Sequence, residues 1–247
     1  MTVLEVCLDD IDGAGVAERA GVERIELCAA LDNGGITPSI GTVSSVLASL
    51  TTLTVMVLIR QRGGDFVYSA AEVDSMVADI RAIRGLPRPE GVTLGFVVGA
   101  LTPEGTVDEV ATAAFVEACR EHPVTFHKAF DLTRDLPVAL ETLIELGISR
   151  VLTSGGNASA LQGADSLAAL VEQAGDRMTI LAGGGVRAHN AREIIERTGV
   201  TELHFRAAAE VPSRGYQGGA STLYDSGTRI VTSPELVRGL RAVAAPS

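Results

Sequence analysis

Short runs of β-branched and other apolar residues alternate with longer segments of helical periodicity along the 247 residues of the chain. Eight of these runs are predicted to be strands: 3–8, 23–28, 54–60, 91–98, 123–128, 150–154, 178–182 and 201–206. Glycine ends several of the helical segments just before a strand, which indicates left-handed helix caps: Gly21, Gly147, Gly175 and Gly199. Eight strand–helix units at this spacing predict an α/β fold, a closed (β/α)8 TIM barrel that forms a single domain over residues 1–247.

An open, doubly wound sheet is the alternative arrangement of such units. That fold normally has a glycine-rich dinucleotide turn after its first strand, and VCLDDIDGAGVAE is a poor version of that turn. No nucleotide cofactor is therefore expected. One long connection, residues 207–232, precedes a final helical segment, and a loop of this length in a compact barrel is usually functional or disordered.

Charge and composition exclude several classes of partner. The formal net charge of −11 and the lack of a basic cluster argue against nucleic acid. The acidic first residues are unlike a signal peptide, and no apolar stretch reaches membrane-spanning length, so we expect a cytoplasmic protein. Three cysteines cannot form a full disulfide framework and should stay reduced there. Cys119 lies in a helical segment and is expected to fill the core.

Alternation along the strands predicts which polar residues face the barrel interior. Glu5 and Cys7 in the first strand, and Glu26 and Cys28 in the second, repeat one Glu-X-Cys pattern. The intervening Val and Leu suit packing against the outer helices, so Glu and Cys should point inward. The same argument collects inward polar residues from later strands: Arg60, His127, Glu202, His204 and Arg206. Such residues at the carboxyl ends of barrel strands are typical of active sites.

Two interpretations of these inward charges stay open. A carboxylate inside an apolar barrel is costly unless it is paired, so a structural ion-pair network could join Glu5, Glu26, Arg60 and Arg206. In the other interpretation the protein is an enzyme acting on a small anionic metabolite, a phosphate or a carboxylate. Glu5, Glu26 and His127 would then be acid–base groups, and Arg60 would bind the anion.

The two inward cysteines are candidate metal ligands. Neighbouring strands lie about 4.8 Å apart, so Cys7 and Cys28 can approach each other as paired thiolates. Thiolates favour a soft ion such as Cu(I), whereas zinc needs four ligands, or three and a water, and no CxxC or HxxxH cluster is present. The alternative is that both cysteines are small core residues.

Glycine-rich turns follow the sixth and seventh predicted strands. Gly155 lies in the first turn, and Gly183, Gly184 and Gly185 form the second. Turns of this kind ahead of helices expose backbone N–H groups to anions, and many barrels bind phosphate near the loops after strands seven and eight. These four glycines are therefore candidate anion-binding residues, although glycine also serves tight turns that bind nothing.

Taken in order, a series of segments closely resembles the copper homeostasis protein CutC family: EVC at 5–7, IELC at 25–28, GGITPS at 34–39, RGGDF at 62–66, VTFHKAFD at 124–131, RVLTSGG at 150–156, GGGV at 183–186 and ELH at 202–204. The resemblance implies a cytosolic (β/α)8 barrel, often a homodimer, that handles copper, with Cys7 and Cys28 as the family's paired cysteines. The chain departs from the family pattern at three positions. Gln61 replaces a proline between two arginines, Lys128 replaces an arginine, and Phe205 replaces a cysteine, so one possible thiol is missing.

Overall fold

Eight parallel strands form a closed ring in the computed structural model, which describes residues 2–215 and 225–244. The barrel strands are β1 (Val3–Leu8), β2 (Arg24–Leu27), β3 (Thr54–Leu58), β4 (Thr93–Val98), β5 (Val124–Phe126), β6 (Arg150–Thr153), β7 (Thr179–Ala182) and β8 (Glu202–Arg206). Each strand pairs in parallel with the next, and β1 pairs with β8 to close the ring. The predicted (β/α)8 barrel is confirmed.

Helices follow the strands and cover the outside of the barrel. They are α1 (Ile11–Arg19), α2 (Ile40–Ser49), α3 (Ala70–Arg84), α4 (Glu109–Cys119), α5 (Leu136–Glu145), α6 (Ala164–Ala174), α7 (Ala191–Thr198) and α8 (Pro234–Ala244). Side-chain caps start several of them: Ser39 accepts from the N–H of Thr42, and Ser69 with Glu72 forms a capping box. None of the helices in the described ranges is long and apolar enough to cross a membrane.

The four glycines predicted to end helices all have positive φ: Gly21 at 76°, Gly147 at 79°, Gly175 at 52° and Gly199 at 71°. Gly199 adopts the left-handed cap that was expected. At Gly175 ψ is −133°, so this residue lies outside the left-handed helical region and the predicted cap type is wrong there. Positive φ is open to glycine without a Cβ penalty, which explains the residue at all four turns.

Two apolar layers result from the alternation of side chains along the strands. The larger lies between the strands and the helices and contains the outward Val, Leu, Ile and Phe residues, with Cys119 among them as predicted. The smaller lies inside the ring at the carboxyl ends of the first four strands and consists of Cys7, Cys28, Met56, Leu58 and Val97. The alternation of side chains therefore places both candidate metal ligands, Cys7 and Cys28, inside the barrel.

The structure corrects several predicted boundaries. β3 ends at Leu58, before Arg60, and β5 ends at Phe126, because His127 starts a 3-10 turn over Lys128–Leu132. The connection 207–232 is not all loop: β9 (Ala208–Pro212) pairs with β10 (Thr228–Thr232) as an antiparallel ribbon. The two ends of this connection pair along the backbone, and β10 is rich in β-branched residues, which favour strands. The prediction considered only the length of the connection and overlooked this pairing. Residues 216–224 of this connection lie outside the described residues.

Candidate metal centre

The carboxyl ends of β1, β2 and β8 bring the two inward cysteines together. Cys7 is the register partner of Glu26 on one side and of Arg206 on the other. Its Sγ lies 3.8 Å from the Sγ of Cys28, which directly follows β2. Both are free, buried thiols. At this separation the sulfur atoms touch without a disulfide bond, in which they would be about 2.05 Å apart.

His204 adds an imidazole to this pair from β8. Its Nδ1–H donates to Glu5 Oε1 at 2.7 Å, which fixes the ring and leaves Nε2 on the other side, 3.7 Å from Glu26 Oε2. The ligand atoms of Cys7, Glu26 and His204 all lie within 4.8 Å of one another. One sulfur, one nitrogen and one carboxylate oxygen therefore converge at the barrel mouth, with the second sulfur beside the first.

The two thiols differ in their tendency to ionise. The hydrogen bond between the two thiols lowers the pKa of Cys7 to about 5. His204 lowers this pKa as well, whereas burial raises it. Burial raises the pKa of Cys28 well above its usual value, and the neighbouring Cys7 raises it further. At neutral pH the pair therefore holds one thiolate, on Cys7, and the thiolate is the form that binds metals.

Glu5 and Glu26, both predicted as acid–base groups, also differ in charge state. Burial would raise the pKa of Glu5, but Arg24 and His204 together lower it to about 2. Burial raises the pKa of Glu26 well above its usual value, and the adjacent Cys7 adds to that effect. Glu5 is thus a permanent carboxylate that orients His204, whereas the surroundings of Glu26 favour its protonated form.

A buried ion-pair network lies beneath the thiols, with different members from those expected. Arg24 donates to both Glu5 and Glu202, and Arg150 Nε donates to Glu202 at 2.7 Å. Glu5 is the one residue common to this network and the expected one. The prediction that the network includes Arg60 and Arg206 is wrong, because it ignored the stagger between strands: Glu5 is the register partner of Arg24. Arg206 instead reaches Asp32 on the surface, at 3.2 Å.

Arg60 lies on the opposite wall of the barrel mouth and is held by backbone carbonyls. Its Nη1 donates to Gly34 and Gly35, both at 3.0 Å, and its Nη2 donates to Gly64 at 2.8 Å. The side chain is buried, and its Nε–H has no hydrogen-bond partner. Within residues 2–215 and 225–244, no carboxylate forms an ion pair with this guanidinium.

His127 lies beside Arg60 and is electrically neutral. Burial lowers its pKa to about 3, and the charge on Arg60 contributes to the lowering. The N–H of Ala129 donates to Nδ1 at 3.1 Å, which places the proton of the neutral ring on Nε2. This Nε2–H has no partner among the described residues. Phe66 packs against both side chains, with its ring centre 4.7 Å from the Arg60 guanidinium carbon and 4.8 Å from the His127 ring.

A cavity of about 170 Å³ joins the two walls at the carboxyl ends of the strands. Its lining includes five of the predicted site residues, Cys7, Cys28, Glu26, Arg60 and His127, together with His204. Glu5 lies below it. Larger surface grooves exist elsewhere, for example one of about 410 Å³ between α2 and α3. That groove also reaches Arg60, together with Asp79, but it lacks the thiols and imidazoles of the barrel mouth, which is why we treat the mouth as the candidate site.

The predicted anion-binding glycines lie at the edge of this mouth, beside a polar cluster around Asp131. Burial would raise the pKa of Asp131, but Lys128 and several hydrogen bonds lower it overall. The N–H of Gly155 donates to Thr153 Oγ1 at 2.8 Å, and that of Gly183 to the Thr153 carbonyl at 2.9 Å. In the described ranges the N–H groups of Gly184 and Gly185 make no hydrogen bond. Anion binding at these turns stays a prediction.

Sequence reasoning missed three residues that shape the site. Arg24 lies two residues before Glu26 and therefore on the same face of β2. It could have been found by extending the alternation one step towards the start of the strand. Lys128 and Phe66 follow their strands, where alternation no longer applies, and no local pattern places them at the cavity. The place of Lys128 and Phe66 at the site can be seen only in the folded structure.

Comparison with known proteins places the chain in one family. A sequence model of the CutC family matches residues 2–209. A CutC family protein of Mesorhizobium japonicum is 47% identical over 86% of this chain and 80% of its own length. The human copper homeostasis protein cutC homolog is 42% identical over 98% of this chain and 89% of that protein.

Solved structures agree with the sequence comparison. CutC from Streptococcus agalactiae superimposes with a TM-score of 0.76 at 32% identity, over 83% of this chain and 98% of that one. Phosphoribosylanthranilate isomerase from Pyrococcus furiosus shares the barrel with a TM-score of 0.56 at 10% identity, over 99% of this chain and 98% of that one, which shows the fold alone. On the family match and the identities together, the chain is a member of the CutC family.

Proposed function

We propose that this protein is a copper homeostasis protein that binds Cu(I) through the thiolates of Cys7 and Cys28, with His204 as a third ligand. The observation that carries the proposal is the contact between two reduced, buried thiols at the mouth of a barrel, 3.8 Å apart. Related proteins from human and mouse are named copper homeostasis proteins, which supports the same assignment.

The donor set fits a soft monovalent ion better than a hard one. Cu(I) favours thiolate ligands, whereas carboxylates suit magnesium and calcium. The raised pKa of Glu26, the one oxygen donor of the group, favours its protonated form, which is a poor ligand. The imidazole of His204 is oriented by Glu5 through Nδ1, an arrangement in which a carboxylate fixes the ring of a metal-binding histidine.

The test is a Cu(I) competition assay with bicinchoninate on the metal-free, reduced protein. We expect one Cu(I) for each chain in the parent protein. The variants Cys7→Ala and Cys28→Ala should each lose more affinity than the roughly 10- to 100-fold typical of changes outside the ligand set. Cys119→Ala is the matched control, because Cys119 is an equally buried thiol in α4, far from the barrel mouth. Equal Cu(I) uptake by the Cys7, Cys28 double variant and the parent would refute the proposal.

Competition with Zn²⁺ tests whether the site is a Cu(I) site or a zinc site. If Zn²⁺ displaces Cu(I) and its binding depends on Glu26, the site is a mixed thiolate, imidazole and carboxylate zinc site instead. The expected result is that Cu(I) binding is indifferent to Glu26→Gln. The cytoplasmic location and the homodimer remain predictions, which cell fractionation and light scattering would test.

An enzyme acting on a small anionic metabolite is the second candidate function. It is favoured by one observation, the cavity in which Arg60 Nε and His127 Nε2 lack partners. Of the predicted acid–base groups, Glu26 is the one that combines a raised pKa with a place on the cavity wall. Thermal-shift screening against sugar phosphates and carboxylates tests this function, and a flat response across the panel counts against it.

A further inference from the structure

We infer that the cavity at the barrel mouth binds a small organic monocarboxylate, whose oxygens accept hydrogen bonds from Arg60 Nε–H and His127 Nε2–H. The inference concerns ligand binding alone and is independent of Cu(I), since neither donor belongs to the proposed metal ligands. The argument rests on an unbalanced charge, two unused donors, and the size and lining of the space beside them.

Arg60 carries a buried positive charge without a counter-ion. The residue is 7% exposed, and its guanidinium contacts the neutral carbonyls of Gly34, Gly35 and Gly64 and the face of Phe66. The neutral hydroxyl of Tyr68 lies close to it as well. A charge removed from water is costly unless an opposite charge compensates it. The other buried arginines of the barrel, Arg24 and Arg150, are each paired with a carboxylate. A single bound anion would give Arg60 the partner that those two already have.

Both donors that face such an anion are unused. Arg60 Nε and His127 Nε2 are buried nitrogens with no hydrogen-bond partner in the described chain, and a buried donor left unpaired costs about 1–3 kcal/mol. The N–H of Ala129 fixes the His127 tautomer, so that Nε2 is a donor. A carboxylate accepts on two oxygens, and it can therefore satisfy both N–H groups at once.

The lining of the cavity limits the rest of the ligand. Apart from the polar groups already described, Leu31, Leu58 and Leu152 line the space, which suits a short carbon chain. Its volume of about 170 Å³ equals about six water molecules at their share of liquid volume. Short-chain acids of three or four carbons fit this space.

Phe66 controls access to the two donors. Its half-buried ring packs on both Arg60 and His127, and both nitrogens are shielded from solvent. A ligand oxygen that reaches them must push this ring outward. Gly63 and Gly64 lie just before Phe66 in the same loop, and Gly64 has φ of +87°. Because glycine has no side chain, the backbone beside Phe66 has little bulk to obstruct that movement.

The test uses isothermal titration calorimetry on the metal-free full chain in a low-chloride buffer. The probes are propionate, butyrate and pyruvate, with propionamide as the uncharged match of propionate and inorganic phosphate as a competing anion. We expect saturable binding of at least one carboxylate and none of propionamide. Binding of phosphate without any carboxylate, or equal binding of propionate and propionamide, would overturn the inference.

Variants then locate the binding. Arg60→Gln and His127→Phe should each weaken the carboxylate by roughly tenfold or more, the loss expected for one hydrogen bond to a charged group. Arg62→Gln is the matched control, because Arg62 lies two residues further along and pairs with Asp65 and Glu72 at the surface. An equal loss in Arg62→Gln would show that the effect is not specific to the cavity.

One measurement does not depend on whether the Arg60 variant folds. In the unaltered protein, the NMR signals of Arg60 Nε–H and His127 Nε2–H should move on titration with the carboxylate, and unmoved signals would contradict the site. The Cu(I) assay on the same sample separates the two proposals. If the unaltered protein takes up Cu(I) but binds no carboxylate, this inference alone is refuted, and the reverse result refutes the copper proposal alone.

Discussion

His204 and His127 occupy similar places in the barrel, at the carboxyl ends of β8 and β5, yet their surroundings shift their pKa values in opposite directions. Burial alone would lower the pKa of His204, but hydrogen bonds to Cys7 and Glu5 raise it well above its usual value. His127 has no such partner, and burial, assisted by Arg60, lowers its pKa to about 3. Two imidazoles that line one cavity therefore differ because one faces anions and the other faces a cation.

This difference divides the mouth of the barrel into two halves. The half around His204 gathers the thiols and carboxylates, which suits a cation such as Cu(I). The half around His127 gathers a guanidinium and neutral N–H donors, which suits an anion. The four experiments below test this division, beginning with the largest expected effect.

Removal of Arg24 should be the most damaging single change. Arg24→Met leaves both Glu5 and Glu202 without the guanidinium that they share, and breaking a buried ion pair costs about 3–5 kcal/mol. Urea unfolding followed by circular dichroism measures the loss. Arg241→Met is the control, because Arg241 pairs with Glu23 in a more exposed ion pair, where the expected cost is about 0–1 kcal/mol. Similar losses in both variants would show that the buried network does not stabilise the barrel.

Acid should destabilise the protein through His127. The folded pKa of about 3 lies below the ordinary histidine value of 6.5, so the unfolded chain takes up a proton first as the pH falls. Stability is therefore lost below pH 6.5 and continues to fall until the pH passes the folded pKa. At about 1.4 kcal/mol for each pH unit, roughly 3 kcal/mol should be lost between pH 7 and pH 4.

The measurement compares the unfolding free energy of the parent and of His127→Asn across that pH range. Asparagine does not titrate and still offers an acceptor to the N–H of Ala129, so the variant should lose less stability in acid. His189→Asn, at an exposed position, is the control. Parallel pH profiles for the parent and the His127 variant would show that this ring is not neutral in the folded protein.

Replacing Glu5 by Gln should weaken Cu(I) binding without removing it. The carboxylate orients His204 through a hydrogen bond of 2.7 Å to Nδ1, and losing such a partner typically costs 10- to 100-fold in metal affinity, roughly 1.4–2.7 kcal/mol. Bicinchoninate competition measures the change. Glu141→Gln serves as the control, because Glu141 pairs with Arg177 at the surface. Unchanged affinity in Glu5→Gln would mean that His204 does not bind the metal.

Two glycines test the packing of the histidines. A Cβ at Gly99 would overlap the His127 ring, whereas one at Gly183 would meet the end of the Leu152 side chain and touch His204 Cβ at 3.3 Å. Overpacking costs about 1–3 kcal/mol. Gly99→Ala should fall near the upper end, because the ring is held by Ala129, and Gly183→Ala near the lower end. Thermal unfolding measures both, and the reverse order would contradict the rigid placement of His127.

The sequence alone predicts much of this site, because the period of two along a strand is a local property. It correctly placed Cys7, Glu26, Arg60, His127 and His204 at one mouth. It could not predict which inward charges pair, since pairing depends on how far each strand is shifted along its neighbour. For this reason Arg24 was missed as the partner of Glu5, and Arg60 was assigned to a network that it does not join.

The chain of contacts from Glu202 through Arg24 and Glu5 to His204 links the barrel interior to its mouth. A common engineering strategy replaces a buried charge cluster by leucine and phenylalanine, and this often makes a protein more stable. In this barrel the same redesign would leave the imidazole of His204 free to rotate. If the site binds Cu(I) as proposed, a more heat-resistant version of the protein would bind it less tightly, so stability and affinity cannot be optimised independently at this layer.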